Sequence, residues 1–393
     1  MKIAVVVPEP IGARMSGIGI RMVSLARALA GRYEVSLGLL SLEAGFDPGL
    51  PLFTYRRETV GEAVAGFDAV LVQGEPANYL LSQKRAAKVV VDLYDPFMVE
   101  ALAYNEEAHR FAHASTAVQL EKGDYFLCAH EGQKLFYLGA LYALGRLTPA
   151  AYAADPECSA LLGIVPFGVP DEAPVVEPGV LKKRLGLPDE AKILFFGTFY
   201  DWYDTDLLQA VLERVLEREG VHFAAVEHLR ADTTPQARAA SFRDWAQKRG
   251  WLGTKVHLTG WIPYAERTSA YADCAAAVSF YSPSLETSLS FRTRLLDFLY
   301  AGLPVVAVSG GGLERVLPGQ PGLRLHPPDP EVLASSILEV LDRPPSEGER
   351  KYTSDAVRAV CSWERAAAPL LEWLDRAAPG PGGKAPWWKR VLR

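Results

Sequence analysis

Two arginines and a glycine triplet have the types and spacing to bind an anion. Arg292 and Arg294 stand at the start of a predicted helix, where the helix dipole is already positive, so both guanidinium groups are unfavourable there unless an anion lies opposite. Downstream, an apolar strand ends in Gly310–Gly312, whose backbone amides offer further donors. Together these features predict a diphosphate site. The alternative is a solvated i,i+3 ion pair between Arg294 and Asp297.

A second glycine-rich turn, Gly17–Arg21, follows the first predicted strand and opens a helix. Its amides could face an anion or a sugar, and a flexible turn is the alternative interpretation. A dinucleotide-binding loop is not favoured, because nine residues separate Val7 from Gly17 and Met22 occupies the third glycine position.

Three polar residues follow two further apolar strands of the amino-terminal half. Asp92 and Asp95 end one strand and could bind substrate hydroxyls, although an Asp before Pro96 is also common at helix starts. His130 follows the next strand and is a further candidate, with a helix cap or a partly buried histidine as the alternative.

The sequence predicts no metal or cofactor. His109 and His113 are four residues apart, but Arg110 replaces the glutamate of the zinc-protease motif, which favours a surface helix. The four cysteines are far apart and lie in or beside apolar runs, as expected for reduced cytosolic thiols; they are Cys128, Cys158, Cys274 and Cys361.

Apolar strands alternate with helices in the first half of the chain and again in the second half, and these elements must position the candidate residues. Helices are predicted near Ile20–Ala30 and at Thr205–Glu219, Gln236–Lys248 and Thr293–Ala301. Strands are predicted at Ile3–Val7, Glu34–Leu40, Ala69–Val72, Val89–Val91, Tyr125–Cys128, Ile193–Phe196, His222–Val226, Val256–Leu258, Ala276–Phe280 and Val305–Val308. This order indicates two doubly wound α/β domains with parallel sheets, and ligands at the carboxyl ends of the strands.

The run from Pro283 to Glu314 resembles the hallmark segment of retaining, family-4-type glycosyltransferases of the GT-B fold. The residues that carry the resemblance are Glu286, Asp297, Gly302-Leu303-Pro304-Val305-Val306, Gly310-Gly311 and Glu314. Weaker similarity extends to Val165–Val169, Gly17–Arg21 and Val256–Pro263, so that nearly the whole chain is covered.

The resemblance implies two Rossmann-like domains that face each other across a cleft. It also implies transfer of a sugar from a nucleotide-diphosphate sugar to an acceptor hydroxyl, with retention, without a metal, and with the leaving phosphate taking the acceptor's proton. Glu286 would bind hydroxyls of the donor sugar and Asp297 the ribose. The implied acceptor is a glycan or a lipid-linked glycan of the cell surface.

Two departures from the family pattern leave alternatives open. The loop Gly197–Asp204 carries no Arg or Lys, and Glu286 and Asp297 are eleven residues apart, wider than the usual Glu-x7-Glu. Arg292 and Arg294 could supply the missing positive charge. A noncatalytic sugar-nucleotide-binding or scaffolding protein, or another GT-B enzyme of sugar-nucleotide metabolism, therefore remains the alternative.

The predicted site residues fall into three groups. The predicted catalytic residues are Glu286, Arg292 and Arg294, and truncation of either arginine is expected to change stability by only about ±1 kcal/mol because both lie at a helix end. The predicted donor-binding residues are Gly197, Thr198, Trp261, Ser288, Asp297, Gly310, Gly311, Gly312 and Glu314. The predicted acceptor-side residues are Gly17, Gly19, Arg21, Asp92, Asp95 and His130. Trp261, Phe199 or Trp202 could stack on the nucleobase, with core or interface packing as the alternative.

The predicted organisation is an amino-terminal domain over 1–168, a donor domain over 169–360, a helix over 361–377 that packs back on the first domain, and a tail over 378–393. The net charge of −6 argues against nucleic acid, and no export or membrane-spanning segment is expected, which places the chain in the cytoplasm. The tail contains Trp387-Trp388 and four basic residues, which could make weak, reversible contact with anionic lipid; packing of both tryptophans on the protein is the alternative.

Overall fold

The computed structural model describes residues 1–13, 15–43, 45–200, 202–227 and 237–377 of the 393. They form two compact units. Among the described residues, the amino-terminal unit comprises Met1–Gly168, Leu289–Phe291 and 363–377, and the carboxy-terminal unit comprises Val169–Ser288 and Arg292–Ser362. The tail 378–393 lies outside the described residues.

The amino-terminal unit is built on a seven-stranded parallel sheet in the order β3-β2-β1-β4-β5-β6-β7. The strands are β1 (Lys2–Val6), β2 (Glu34–Leu39), β3 (Leu52–Thr54), β4 (Ala69–Val72), β5 (Lys88–Asp92), β6 (Tyr125–Cys128) and β7 (Leu162–Ile164). The central strands are buried along almost their whole length because helices cover both faces, which is why their sequences are apolar throughout and do not alternate.

The carboxy-terminal unit is built on a six-stranded parallel sheet in the order β10-β9-β8-β11-β12-β13. The strands are β8 (Lys192–Thr198), β9 (Val221–Val226), β10 (Val256–Thr259), β11 (Ala276–Ser279), β12 (Val305–Val308) and β13 (Leu323–His326). In both sheets the strand order reverses beside the first strand of the unit, as in a Rossmann fold, and such switch points are where ligands bind.

Helices connect the strands and cover the sheets. They are α1 (Gly17–Ala30), α2 (Val60–Ala63), α3 (Glu75–Ser82), α4 (Phe97–Glu100), α5 (Glu106–Lys122), α6 (Glu131–Ala143), α7 (Pro149–Ala154), α8 (Val180–Leu185), α9 (Thr205–Val215), α10 (Ala237–Lys248), α11 (Tyr264–Ala272), α12 (Leu285–Leu289), α13 (Thr293–Tyr300), α14 (Leu313–Val316), α15 (Pro330–Asp342), α16 (Glu347–Cys361), α17 (Trp363–Ala366) and α18 (Ala368–Ala377), with 3₁₀ turns at Arg57–Thr59 and Ala101–Ala103. No helix of the described residues is long and apolar enough to cross a bilayer.

The predicted α/β class with two Rossmann-like sheets is confirmed, and every predicted strand is present. The sequence missed β3, β7 and β13, which are short and lie at sheet edges. Helix α9 ends at Val215, not at Glu219 as predicted, and the three residues after Leu216 are charged and offer no apolar face for another turn.

Candidate functional site

The carboxyl ends of β8, β11 and β12 lie side by side in the sheet of the carboxy-terminal unit. The loop after β8 and the segment after β11 meet at a bridge between Tyr203 and Tyr281, and Asp204 accepts a hydrogen bond from Ser282 Oγ at 2.8 Å. Asp204 also caps α9 by accepting from the Leu207 amide at 2.9 Å. These contacts hold together the loops on which the predicted arginines converge.

Arg294 packs against the end of β8. Its Nη1 donates to the carbonyl oxygens of Thr198 at 2.6 Å and Phe196 at 3.3 Å, across a register shift between Phe195 and Gly197. Gly197 has a φ of +91°, and a Cβ there would lie 3.0 Å from Arg294 Nη1. Glycine is therefore required both by the backbone conformation and by the guanidinium beside it. The alternative i,i+3 pair with Asp297 is replaced by these carbonyl contacts.

Arg292 forms a buried ion pair with Glu286. Its Nη2 donates to Glu286 Oε2 at 2.6 Å, and the two side chains are 7% and 12% exposed. The guanidinium carbon lies 5.2 Å from the Tyr281 ring centroid and 5.8 Å from that of Tyr203. Arg292 Nε is buried and has no hydrogen-bond partner among the described residues. The expectation that Arg292 lies outside the core is wrong.

Two tyrosines of the loop 197–204, Tyr200 and Tyr203, lie beside the arginines, and neither was among the predicted site residues. The Arg294 guanidinium lies 4.8 Å from the Tyr203 ring centroid and 5.5 Å from that of Tyr200, which stacks on Trp202. Phe199 is buried in the core below. The sequence does contain a signal for this arrangement: the loop is rich in aromatic residues and has no basic residue of its own. Such rings can bind guanidinium groups that come from elsewhere in the chain.

The glycine turn after β12 already holds an internal carboxylate. Glu314 Oε1 accepts hydrogen bonds from the amides of Gly310 and Gly311, the latter at 3.0 Å. Gly312 is buried and precedes α14. The Tyr281 hydroxyl, whose pKa is raised by burial, donates to the Val308 carbonyl at 2.6 Å beneath this turn. Because Glu314 already satisfies two of these amides, a ligand at this turn would have to displace its carboxylate, and the donor-binding role of the turn stays a prediction.

Asp297 lies in the middle of α13 and is 16% exposed. Burial raises its pKa to about 6, and the positive charges of Arg267 and Arg294 oppose that rise. Arg267 Nη1 is 4.0 Å from the carboxylate, and its guanidinium lies 5.0 Å from the Trp261 ring centroid. The Trp261 indole N–H is buried without a partner among the described residues. Trp261, Arg267 and Asp297 thus form one polar and aromatic cluster.

Two further predicted donor-side residues have local contacts. Ser288 is exposed, and its hydroxyl donates to the carbonyl of Ser284, the residue before α12, at 3.0 Å. Thr198 contributes its carbonyl to Arg294. Neither contact shows a ligand role, and both assignments remain predictions.

In the amino-terminal unit, Arg21 and Asp92 are fully buried and bind each other. Arg21 Nε and Nη2 donate to the Asp92 carboxylate at 2.6 and 3.0 Å, and the guanidinium also donates to the carbonyls of Val165 and Pro166 at 2.9 Å. Both side chains have an exposure of 0%. The expectation that they bind acceptor hydroxyls is corrected, because the pair ties α1 and β5 to the end of the unit.

The amino-terminal glycine turn is also occupied by a carboxylate. Glu9 Oε1 accepts from the Gly19 amide at 2.7 Å and from the Ser16 hydroxyl at 2.7 Å. A Cβ at Gly19 would lie 2.6 Å from this oxygen, so glycine is needed for the close approach. Gly19 therefore has no free amide for a ligand, while Gly17 is the half-buried first residue of α1.

His130 caps α6, as the alternative interpretation proposed. Its Nδ1 accepts from the Gly132 amide at 3.1 Å, so the proton must be on Nε2, which lies 3.0 Å from the Leu289 carbonyl. The ring is 1% exposed. Asp95, in contrast, is half-buried and lies three residues after the end of β5, and its acceptor-side role stays a prediction.

The described ranges contain no group of three or more His, Cys, Asp or Glu residues that could hold a metal ion. His109 and His113 have ring centroids 6.3 Å apart on α5.

With the geometry established, comparison with known proteins identifies part of the chain. Residues 190–343 match the family model of the glycosyl transferases group 1. The matched segment contains all predicted catalytic and donor-binding residues, so the resemblance to glycosyltransferases is confirmed for this segment, whereas retention and the family-4 type stay predictions. No curated protein matches the chain.

Solved structures show that the fold extends over the whole chain. Sucrose-phosphate synthase from Thermosynechococcus elongatus has a TM-score of 0.70 at 18% identity, covering 96% of this chain and 100% of that one. Anabaena HepE in complex with UDP and glucose has a TM-score of 0.70 at 13% identity, covering 95% and 99%. WaaG, a glycosyltransferase involved in lipopolysaccharide biosynthesis, has a TM-score of 0.63 at 13% identity, covering 94% and 98%. The fold is therefore the GT-B fold of these proteins.

Proposed function

We propose that this chain is a glycosyltransferase that moves a sugar from a nucleotide-diphosphate sugar to an acceptor hydroxyl, with retention of the anomeric configuration. The observation that carries the proposal is the convergence of Arg292 and Arg294 on the loops after β8 and β11, at the switch point of a sheet within the segment 190–343. HepE was solved with UDP and with UDP-glucose, which favours a nucleotide sugar as the donor here.

The proposed chemistry depends mainly on stabilising the leaving diphosphate. As the bond between the anomeric carbon and the phosphate oxygen breaks, negative charge grows on the diphosphate, and the proposed groups that stabilise it are Arg292, Arg294 and the amides of Gly310–Gly312. The acceptor oxygen attaches to the same face of the sugar, and its proton passes to the leaving phosphate. Because fixed cations and amides supply the stabilisation, no metal is part of the proposal.

The remaining predicted residues position the two substrates. Glu286 would accept from hydroxyls of the donor sugar while it keeps Arg292 in place, and Asp297 would accept from the ribose near Trp261. On the acceptor side, Asp95 is the proposed hydrogen-bonding carboxylate. The proposed acceptor is a glycan or lipid-linked glycan assembled on the cytoplasmic side of the cell membrane.

A noncatalytic nucleotide-sugar-binding protein is the second candidate. The observation that favours it is that internal carboxylates already contact both groups expected to bind the diphosphate: Glu286 contacts Arg292, and Glu314 contacts the amides of Gly310 and Gly311. A donor would have to compete with these carboxylates or add to them.

Binding and hydrolysis of a panel of uridine, guanosine, adenosine and thymidine diphosphate sugars test both candidates. We expect one donor to bind and to be hydrolysed slowly without acceptor, with unchanged rate in the presence of EDTA. Arg294→Ala should lower turnover about a hundredfold, whereas Arg324→Ala, at an exposed ion pair of the same unit, should leave it unchanged. Binding without turnover would favour the second candidate, and absence of any binding would contradict both.

A further inference from the structure

The amino-terminal unit has a cavity of about 310 Å³ at the edge of its sheet opposite the predicted acceptor-side residues. Lys88 is the first residue of β5, and Asp124 and Leu161 directly precede β6 and β7, so the cavity lies at the amino ends of these strands. The predicted acceptor-side residues lie at or after the carboxyl ends of strands. A ligand in this cavity would therefore bind at the other edge of the sheet, away from those residues.

The walls of the cavity are mostly apolar and include Leu147, Ala151 and Trp373. The Trp373 ring is stacked on Tyr125 with ring centroids 4.7 Å apart, and its indole N–H donates to the Ala160 carbonyl at 3.2 Å. Because one face of the ring and the N–H are already in contact, Trp373 offers the cavity only apolar ring surface. Such a surface favours another aromatic ring, offset-stacked or edge to face.

The volume of the cavity limits the size of a ligand. Pockets that bind small molecules measure about 300–1,000 Å³, and a cavity of about 310 Å³ stands at the lower end of this range. The cavity therefore favours a small, compact ligand over a nucleotide sugar.

The two carboxylates that line the cavity already have partners. Asp124 lies 2.7 Å from Arg85 Nη1 and 3.1 Å from Lys88 Nζ. Asp155 accepts a hydrogen bond from the Ala160 amide at 2.6 Å. Because both carboxylates are satisfied within the protein, they do not favour a cationic ligand.

The positive charges of the cavity wall are compensated less completely. Arg146 donates to the carbonyls of Leu120, Glu121 and Gly123 at 2.6, 2.7 and 2.9 Å, which terminates α5 but pairs the guanidinium only with neutral groups. Burial lowers the pKa of Arg146. Arg376 on α18 is exposed and forms no ion pair with any residue that the structure describes. This side of the cavity therefore favours an anionic group.

We propose that the cavity is a binding site for a small aromatic acid. The ring of the ligand packs against Trp373 and Leu147, and its carboxylate or phosphate binds Arg376 and Arg146. The site is separate from the proposed transfer reaction, because it uses none of the residues assigned to donor or acceptor.

Binding of 2-naphthoate to the full-length protein tests the proposal, with the neutral 2-naphthamide as the matched ligand. We expect calorimetry to show about tenfold tighter binding of the acid than of the amide, because only the acid can pair with Arg376. Arg376→Ala should weaken binding of the acid about tenfold and leave binding of the amide unchanged; since Arg376 is exposed, its removal should not disturb folding. The matched control is Arg110→Ala, because Arg110 is exposed near the other end of α5 and should affect neither ligand. Equal binding of the acid by Arg376→Ala and wild type would overturn the proposal.

A spectroscopic measurement locates the ligand. In protein labelled with fluorotryptophan, the fluorine signal of Trp373, assigned with Trp373→Phe, should shift when 2-naphthoate is added, whereas the signal of Trp251 in the carboxy-terminal unit should not. A shift at Trp261 in place of Trp373 would mean that the acid binds at the predicted donor site, and it would refute the proposal. A Trp373 signal that responds to decanoate but not to 2-naphthoate would also refute it, because the cavity would then bind an acyl chain. No donor or acceptor is present, so the result does not depend on the proposed function.

Discussion

The buried pair of Arg292 and Glu286 makes a quantitative prediction about stability. Arg292→Ala leaves a carboxylate that is 12% exposed without its 2.6 Å contact to the guanidinium. Removing one partner of a buried ion pair costs about 3–5 kcal/mol, several times the value expected from a position at a helix end. Glu286→Gln should cost less, because the amide oxygen can still accept from Arg292.

A double-mutant cycle measured by urea unfolding of the full chain tests this prediction. The double variant Glu286→Gln/Arg292→Ala should cost less than the two single changes added together, with a coupling of about 2 kcal/mol. The control is the exposed pair of Arg324 and Glu339, 3.0 Å apart, where Arg324→Ala should cost less than about 1 kcal/mol. If Arg292→Ala costs no more than Arg324→Ala, the buried pair does not stabilise the unit.

Three further predictions concern the same site. Arg294→Lys keeps the charge but loses the planar guanidinium that contacts the Thr198 and Phe196 carbonyls, so turnover should fall about tenfold. Arg294→Ala also loses the charge, and turnover should fall about a hundredfold. Equal rates of donor hydrolysis for the two variants would contradict this prediction. Burial raises the pKa of Asp297 to about 6, so between about pH 4 and 6 this carboxyl is protonated in the folded state and ionised in the unfolded state. The free energy of unfolding of wild type, relative to that of Asp297→Asn, should therefore fall by up to about 3 kcal/mol as the pH rises through this range. The same pH dependence of unfolding in both proteins would contradict this prediction. Glu314→Gln should tighten the binding of a nucleoside diphosphate, measured by calorimetry, about tenfold, because a neutral amide oxygen competes less strongly than a carboxylate for the Gly310 and Gly311 amides. Weaker binding by Glu314→Gln would mean that Glu314 stabilises the conformation of the turn and does not compete with the ligand.

The fold could be predicted because its central strands are continuous apolar runs. β4, β6 and β12 have the predicted bounds, since strands buried on both faces leave an unbroken pattern in the sequence. β13 is an exception because Leu323–His326 lies at an edge and is only half-buried, with alternating polar residues. Edge strands of three or four residues carry too short a pattern to separate from loops.

The sequence predicted which residues lie near the strand ends better than it predicted which side chains bind each other. The topology brings the carboxyl ends of β8, β11 and β12 together, so residues after those strands had to be neighbours. Which group binds which could not be predicted, because it depends on side-chain positions far apart in sequence. Arg21 and Asp92 are 71 residues apart and are both candidates for a ligand by type, yet they satisfy each other inside the core.

The two glycine turns show why an amide-rich loop is not by itself an empty anion site. A turn that is withdrawn from water needs acceptors for its N–H groups, and this chain supplies them from Glu9 in one unit and from Glu314 in the other. The two cases differ in how easily a ligand can replace the carboxylate. Glu9 is 9% exposed and also binds Ser16, whereas Gly310 is exposed and Glu314 is only half-buried. A phosphate can therefore reach the second turn at a lower desolvation cost than the first, which is why we assign the donor to Gly310 and Gly311 and not to Gly19.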